Sequence, residues 1–290
     1  VVAAFLPLLP PAHAAAQARL QSLFPDSAVV AVQRLGMTRA ERARPGMEDL
    51  LPGDFMIAPD TALVELRCPA EGGDAYRLRG PFRLVIDVPK NARCHINLLN
   101  GESNVLAESP TEQTVGGVTL GSRGTQYAIV MRRDSAGPAA PRVIVFDGQV
   151  DVSLPEGAVS VNRGRTLTYN PGRRPTLVAT TPAQLQRWAG LYASFDVNEA
   201  MRNATTAVDR QRTYDELQQL HYEVLADPAD TVKRVTLARA QLRYGMLDHA
   251  TFNLRRAGVT TQAKLQQYQI RIDSSVVTRR VRGGGAGPRN

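Results

Sequence analysis

Between about Leu51 and Tyr169 the apolar positions either alternate with polar ones or run unbroken, and glycine or proline interrupts them at short intervals. Val64-Glu65-Leu66-Arg67-Cys68 and Tyr76-Arg77-Leu78-Arg79 alternate, which predicts strands with one buried and one wet face. Arg83 to Val88 and Cys94 to Leu98 continue the series, followed by Gly121 to Val130 and Arg142 to Val152. Gly72-Gly73, Gly80-Pro81, Asn100-Gly101 and Gly116-Gly117 are expected as turns between strands. Upstream, Ala16 to Phe24 has the spacing of a short amphipathic helix and Ala28 to Val32 that of a strand, while residues 39–45 are charged and expected to be exposed.

The period changes after Thr181-Pro182, a helix-start signal with Thr181 as N-cap. Leu185, Trp188, Ala189 and Tyr192 share one helical face. Further stripes follow at Leu217, Leu220, Val224 and Leu225, at Val235, Leu237, Ala238 and Leu242 (closed by Gly245), at Leu247, Ala250, Phe252 and Leu254, and at Leu265, Tyr268 and Ile272. The fold class expected is therefore multidomain β + α, an all-β sandwich, barrel or solenoid-like domain followed by an α-helical, helical-hairpin domain. The expected divisions are a signal-peptide remnant at 1–14, a lead-in segment at 15–45, the β domain at 46–170, a linker at 171–181, the helical domain at 182–278 and a disordered basic tail at 279–290.

Charge and cysteine content narrow the setting. A net charge of +8 favours acidic neighbours such as anionic lipid, acidic envelope polymer or nucleic acid, without choosing among them. Val1 to Ala14 is uncharged and ends in Ala12-His13-Ala14, a small-x-small sequence that signal peptidase accepts, so export with Ala15 as the mature end is expected. Pro7, Pro10 and Pro11 argue against a buried strand or helix there. No other stretch is long and apolar enough to span a bilayer. In an oxidising compartment Cys68 and Cys94 would close one disulfide loop of about 26 residues, contributing roughly 3 kcal/mol in the chain-entropy model. The alternative is two unpaired buried thiols. His95 is the one histidine nearby, and the spacing fits no zinc pattern.

Four pieces of the β region together resemble a FecR-type domain, a periplasmic module known from iron-uptake signalling. They are Leu51-Pro52-Gly53-Asp54-Phe55-Met56-Ile57, Gly124-Thr125-Gln126-Tyr127-Ala128-Ile129, the strand-Asp-Gly-x-Val hairpin from Val143 through Asp147-Gly148 to Val152, and Val161 to Leu167. The resemblance covers about residues 45–170 and implies an exported β-rich domain that binds a protein partner or an envelope polymer. Helix, Gly245 turn and Asp248-His249-Ala250 weakly resemble a tetratricopeptide-like hairpin, against an irregular bundle as the alternative.

Catalytic chemistry is not legible. His221 and His249 have no convergent partner at helical spacing and are expected as surface or packing histidines. Gly53, Asp54, Gly124, Thr125, Asp147 and Gly148 are expected as structural turn residues, the two carboxylates capping backbone N–H groups. Ser109 and Ser122 lack a Gly-x-Ser-x-Gly context. No catalytic residue, cofactor or metal site is expected. The partners expected are envelope proteins or an acidic envelope polymer, with no nucleic acid and no membrane span; self-association stays open. The expectation is a non-enzymatic exported envelope protein, periplasmic or extracellular, acting as a scaffold or sensor, with a peptidoglycan- or polysaccharide-binding module as the alternative.

Overall fold

A computed structural model describes residues 18–47, 50–60, 62–68, 74–87, 95–108, 111–122, 124–132, 140–203 and 209–278. In chain order the strands are β1 (Arg19–Phe24), β2 (Ala31–Gln33), β3 (Glu41–Arg42), β4 (Phe55–Ala58), β5 (Leu63–Arg67), β6 (Ala75–Asp87), β7 (His95–Ala107), β8 (Thr111–Val115), β9 (Val118–Ser122), β10 (Thr125–Arg132), β11 (Ala140–Asp147), β12 (Gln149–Leu154), β13 (Gly157–Asn162), β14 (Arg165–Thr168) and β15 (Thr176–Ala179). Six helices follow: α1 (Pro182–Asn203), α2 (Arg210–Ala226), α3 (Thr231–Arg243), α4 (Leu247–Arg256), α5 (Gln262–Gln267) and α6 (Ser274–Thr278).

All fifteen strands belong to one sheet, antiparallel except where β7 meets β8, and its free ends at β13 and β15 mean that it is not a closed barrel. Two long strands fold it over. The first half of β6 pairs with β5 and its second half with β4, while β7 passes from β8 at its start to β10 at its end. One layer is therefore β1-β5-β6-β7-β10-β11-β14-β15, and the other is β3-β2-β4-β6-β7-β8-β9-β12-β13. Gly80-Pro81 and Asn100-Gly101 lie inside β6 and β7 at this bend, not between strands as expected. The glycine is required there: Gly101 has φ +116, and a Cβ would sit 2.6 Å from that of Phe82.

Inward side chains of both layers form one core, including Val64, Leu66, Tyr76, Tyr127, Ile129, Val143 and Val145 from the first and Met56, Leu84, Ile96, Leu120, Val150 and Val152 from the second. The opposite face of the first layer is also covered. Ala75, Leu106, Ala128, Val130, Ile144 and Phe146 pack against Trp188, Leu191, Tyr192 and Phe195 of α1 and against Leu225 and Phe252. Trp188 meets Phe146 edge-on at 6.1 Å, and both Trp188 and Tyr192 are core residues.

Several elements differ from the sequence expectation for identifiable reasons. Ala16 to Phe24 contains strand β1, not a helix. A bulge between Leu20 and Ser22 puts Leu20 and Leu23 on the same core face, so a strand imitates the three-residue spacing of a helix. The sheet thus starts at Arg19, within the segment expected as a lead-in. The segment expected as a linker carries β15, which pairs with β14. Thr181 does cap α1: its hydroxyl accepts from Gln184 N–H at 3.3 Å while the Gln184 side chain accepts from Thr181 N–H at 2.8 Å. Residues 1–14, Ser109 and the tail 279–290 lie outside the described residues, as do Gly72-Gly73 and Cys94. None of the described helices is long and apolar enough to cross a membrane, which says nothing of a membrane β-barrel.

Candidate functional site

Three chain reversals sit side by side where the chain passes between layers. β9 leads into β10 through Gly124, β11 into β12 through Gly148, and β13 into β14 through Gly164. Asp147-Gly148 is therefore an inter-layer corner and not the hairpin expected, because β11 pairs with β10 and β14 while β12 pairs with β9 and β13. The corners bond to one another: Thr125 Oγ1 donates to Gln149 O at 3.1 Å, Arg163 N–H to Gly148 O at 3.0 Å, and Gly164 N–H to Val145 O at 2.8 Å. Gly148 has φ +82, and a Cβ on it would lie 3.1 Å from Gly124 O.

Asp147 caps no backbone group among the described residues. It accepts from Arg234 of α3 at 2.9 Å and from Arg256 of α4, and Arg256 also donates to Gly124 O at 2.6 Å. Burial lowers Arg234 to about 10, against the attraction of Asp147 and with repulsion from Arg256. The two turn motifs thus anchor the helices to the sheet. Asp54, by contrast, behaves as a turn carboxylate, accepting from Leu51 N–H at 2.9 Å and from Arg34 at 2.6 Å, after Gly53 at φ +90.

A second cluster lies between the covered face of the sheet and the helices. Glu65 on β5 accepts from Arg67 at 2.7 Å and from Arg77 of β6 at 2.9 Å. Asp196 on α1 meets His221 of α2 at 2.8 Å and accepts from Gln241 of α3 at 2.7 Å. His249 of α4 joins the two carboxylates, with Nδ1 3.0 Å from Asp196 Oδ1 and Nε2 3.4 Å from Glu65 Oε2, ion-pair contacts outside hydrogen-bond geometry for the former. Arg77 lies over the rings of Tyr192 and Phe195, and Tyr192 stacks on His221 at 5.0 Å. Gln126 donates to the Tyr192 hydroxyl at 2.7 Å.

The electrostatics follow from burial set against partners. Burial raises Glu65, but Arg67, Arg77 and His249 outweigh it and hold the carboxyl well below its ordinary range. Asp196 is likewise raised by burial and held well below that range by His221 and His249. His221 is lowered, because burial outweighs Asp196. His249 is raised, because Asp196 and Glu65 outweigh burial and Arg77. The cluster therefore favours the ionised form of both carboxylates and the charged form of His249, and disfavours the charged form of His221.

His221 and His249 are consequently neither surface residues nor isolated packing residues. They converge on a carboxylate from a third helix, a meeting that helical spacing within one segment cannot show. The chemistry is that of a clamp: each charge faces another protein group across α1, α2, α3, α4 and the sheet. Among the described residues no group of histidines, cysteines and carboxylates has metal-holding geometry. Cys68, at the end of β5, is buried, and there is no free cysteine among the described residues; its expected partner Cys94 lies outside them. On the open side of the clamp, a cavity of about 190 Å³ is lined by residues of β1, β5, α1 and the start of α4.

No protein-family model matches this chain, and no curated protein matches it. Two solved structures of a "putative anti-sigma factor" from Parabacteroides distasonis ATCC 8503 are similar over 47% of this chain, at 12% and 11% identity and a TM-score of 0.40 each. The similar part spans 64% and 63% of those chains, less than two thirds of their length.

Proposed function

We propose that the chain is a non-enzymatic, exported cell-envelope scaffold or sensor of the FecR type, and that it docks a partner protein by adding a strand at β15. The observation that carries this reading is the free edge itself. Among the described residues β15 pairs with β14 alone, and all four of its residues are exposed, including Leu177 and Val178 at 41% and 48%. Thr180 N–H bonds to Gly164 O, so in the antiparallel register Val178 and Thr176 also turn their backbone groups toward β14. Leu177 and Ala179 then present N–H and C=O to the open side, a template for an added strand.

The surrounding charge selects the partner. Arg165, Arg173 and Arg174 are exposed on the β14–β15 ribbon and Arg163 in the turn that leads into it, and none is paired with a carboxylate among the described residues. A second copy of β15 laid edge to edge would bring these arginines together, whereas an extended acidic segment complements them. Export and the FecR assignment rest on the sequence motifs given above. An acidic envelope polymer would use the same arginines without needing the backbone edge.

The test uses an alternating Glu-Val peptide of about ten residues as probe. Leu177→Pro removes an outward N–H while leaving the β14–β15 bonds in place. The expected result is saturable peptide binding to the parent that Leu177→Pro weakens about tenfold or more at unchanged melting temperature. Equal binding by both proteins, or tighter binding of a polyuronate than of the peptide, overturns strand addition in favour of a polymer-binding surface.

A further inference from the structure

The outer face of the second layer is not uniform. On β12 and β13 it carries Gln149, Asp151, Ser153 and Ser160. On β2, β4 and β6 the same face carries Ala31, Phe55, Ile57 and Val85, which the register sets side by side: Ala31 pairs with Ile57, and Phe55 with Val85. Their neighbours Val32, Met56, Leu84 and Ile86 point into the core, so these side chains point away from it. Val29 precedes Ala31 and is exposed, and so is Leu99, the extra residue of β7 between Leu98 and Asn100. Scattered exposed apolar side chains are ordinary, but a contiguous run across three strands is not.

The β2–β3 turn extends this patch at one end. Leu35 and Met37 flank Gly36 and are 75% and 62% exposed. Gly36 has φ +78 and open space where a Cβ would stand, so the tip of the turn is clear of the protein. Polar residues would serve such a turn equally well. Leu35 rests over Gly53, where a Cβ would lie 2.8 Å from Leu35 Cδ2. The apolar tip therefore projects and does not line a groove.

Positive charge predominates around it. Arg39, Arg42 and Arg44 follow the tip on and around β3, and Arg83 pairs with Ile57 within the patch. All four are exposed, and none is paired with a carboxylate among the described residues; Arg42 donates to the carbonyls of Asp26 and Ala28. Glu41 is taken up by Arg34 at 2.6 Å. Asp87 and Glu112, at the far margin, are only partly exposed and have partners of their own.

A rigid protein partner would need a pocket cut to the tip. The interfacial region of a bilayer admits projecting apolar side chains and, when it is anionic, attracts the arginines behind them. We propose that this face docks the protein peripherally on an anionic bilayer, with Leu35 and Met37 in the headgroup region, the Ile57 patch against it and the four arginines at lipid phosphates. None of these residues belongs to β14 or β15, so the inference is independent of the edge-strand reading.

The full chain is sedimented with vesicles of phosphatidylglycerol and phosphatidylcholine in roughly equal parts, and with vesicles of phosphatidylcholine alone. The expected result is saturable binding to the anionic vesicles, at least about tenfold tighter than to the neutral ones and weakened by salt. Leu35→Ser combined with Met37→Ser leaves the net charge unchanged and should weaken binding about tenfold or more at unchanged melting temperature. Arg39→Gln and Arg83→Gln should each weaken it about fivefold. No saturable binding, equal binding to both vesicles, or full binding by the doubly substituted tip overturns the proposal, the last by placing the contact on another basic surface. Two further results also overturn it: soluble polyglutamate competing through the same tip residues, which assigns the face to an acidic protein, and a parent dimer that the tip substitutions dissociate, which assigns it to a second copy.

Discussion

The two layers of the folded sheet are built from similar strands and end in opposite environments. In β12 and its layer, Val150, Val152 and Leu154 face the core while Gln149, Asp151 and Ser153 face water. In β10 and β11, Ala128, Val130, Ile144 and Phe146 occupy the positions where water would be, and helices cover them. Strands buried on both faces are apolar throughout, and strands buried on one face alternate. The covered layer adds something the wet one lacks: its outer face carries Glu65, Arg67 and Arg77, charges that the helices must neutralise once they dock. An exposed ion pair contributes little, but a buried one becomes strongly destabilising when a single partner is removed. The two faces should therefore respond very differently to substitution.

The largest expected effect is at Asp196. Asp196→Leu leaves His221, His249 and Gln241 facing an apolar group, and urea denaturation should show a loss of about 3–5 kcal/mol. A loss below about 1 kcal/mol would mean that the helices are held by their apolar contacts alone. Reduction comes next. If Cys68 and Cys94 are bonded, tying the end of β5 to the start of β7, reductant should cost roughly 3 kcal/mol. A melting curve unchanged by reductant, or two thiols found by titration under non-reducing conditions, removes the bond from the account.

Gly148→Val tests the seam between layers. Its φ of +82 disfavours any β-branched residue, and the new Cβ would press on Gly124 O and Thr125, so a cost of about 1–3 kcal/mol is expected. A melting temperature equal to the parent's would show that the corner can rearrange.

The pH dependence distinguishes the two histidines. His221 has a folded pKa below its ordinary 6.5, so the folded state binds fewer protons than the unfolded one and stability falls as pH drops through 6.5. His249 is raised, so its contribution is complete below 6.5 and is lost as pH rises through its folded value. Glu65 and Asp196, both lowered, add a further loss as pH falls below the ordinary carboxylate range. Relative to the parent, acidification from neutral pH to about 5.5 should cost His221→Gln less stability and His249→Gln more. Denaturation midpoints measured across that range decide the matter; identical profiles for both variants would refute the asymmetry.

The smallest effect belongs to the wet face. Asp151 accepts from Ser160 at 2.6 Å and from Gln149 at 2.9 Å, yet it is exposed, and Asp151→Ala should change stability by about 0.5 kcal/mol or less. A loss matching that of Asp196→Leu would erase the distinction between the faces.

Much of the fold was legible because period is a local property. The stripe from Leu185 to Tyr192 marked α1, Gly245 with φ +73 marked the end of α3, and Gly124 and Asp147-Gly148 marked reversals of direction. Local pattern also misled where geometry is set from outside. The bulge in β1 mimics helical spacing, and glycines inside β6 and β7 look like the ends of strands until a second layer requires the bend.

Residue types and their spacing by themselves determined that a β-rich region precedes a helical one, and where the chain turns. Only the tertiary structure decided what the turns join, which face the helices cover, and that Glu65, Arg77, Asp196, His221 and His249 meet. Those five residues come from β5, β6, α1, α2 and α4, and no periodicity within one segment relates them. Their charges were visible in the sequence, but the sign and size of their effects depend on distance and burial, which exist only once the helices lie on the sheet.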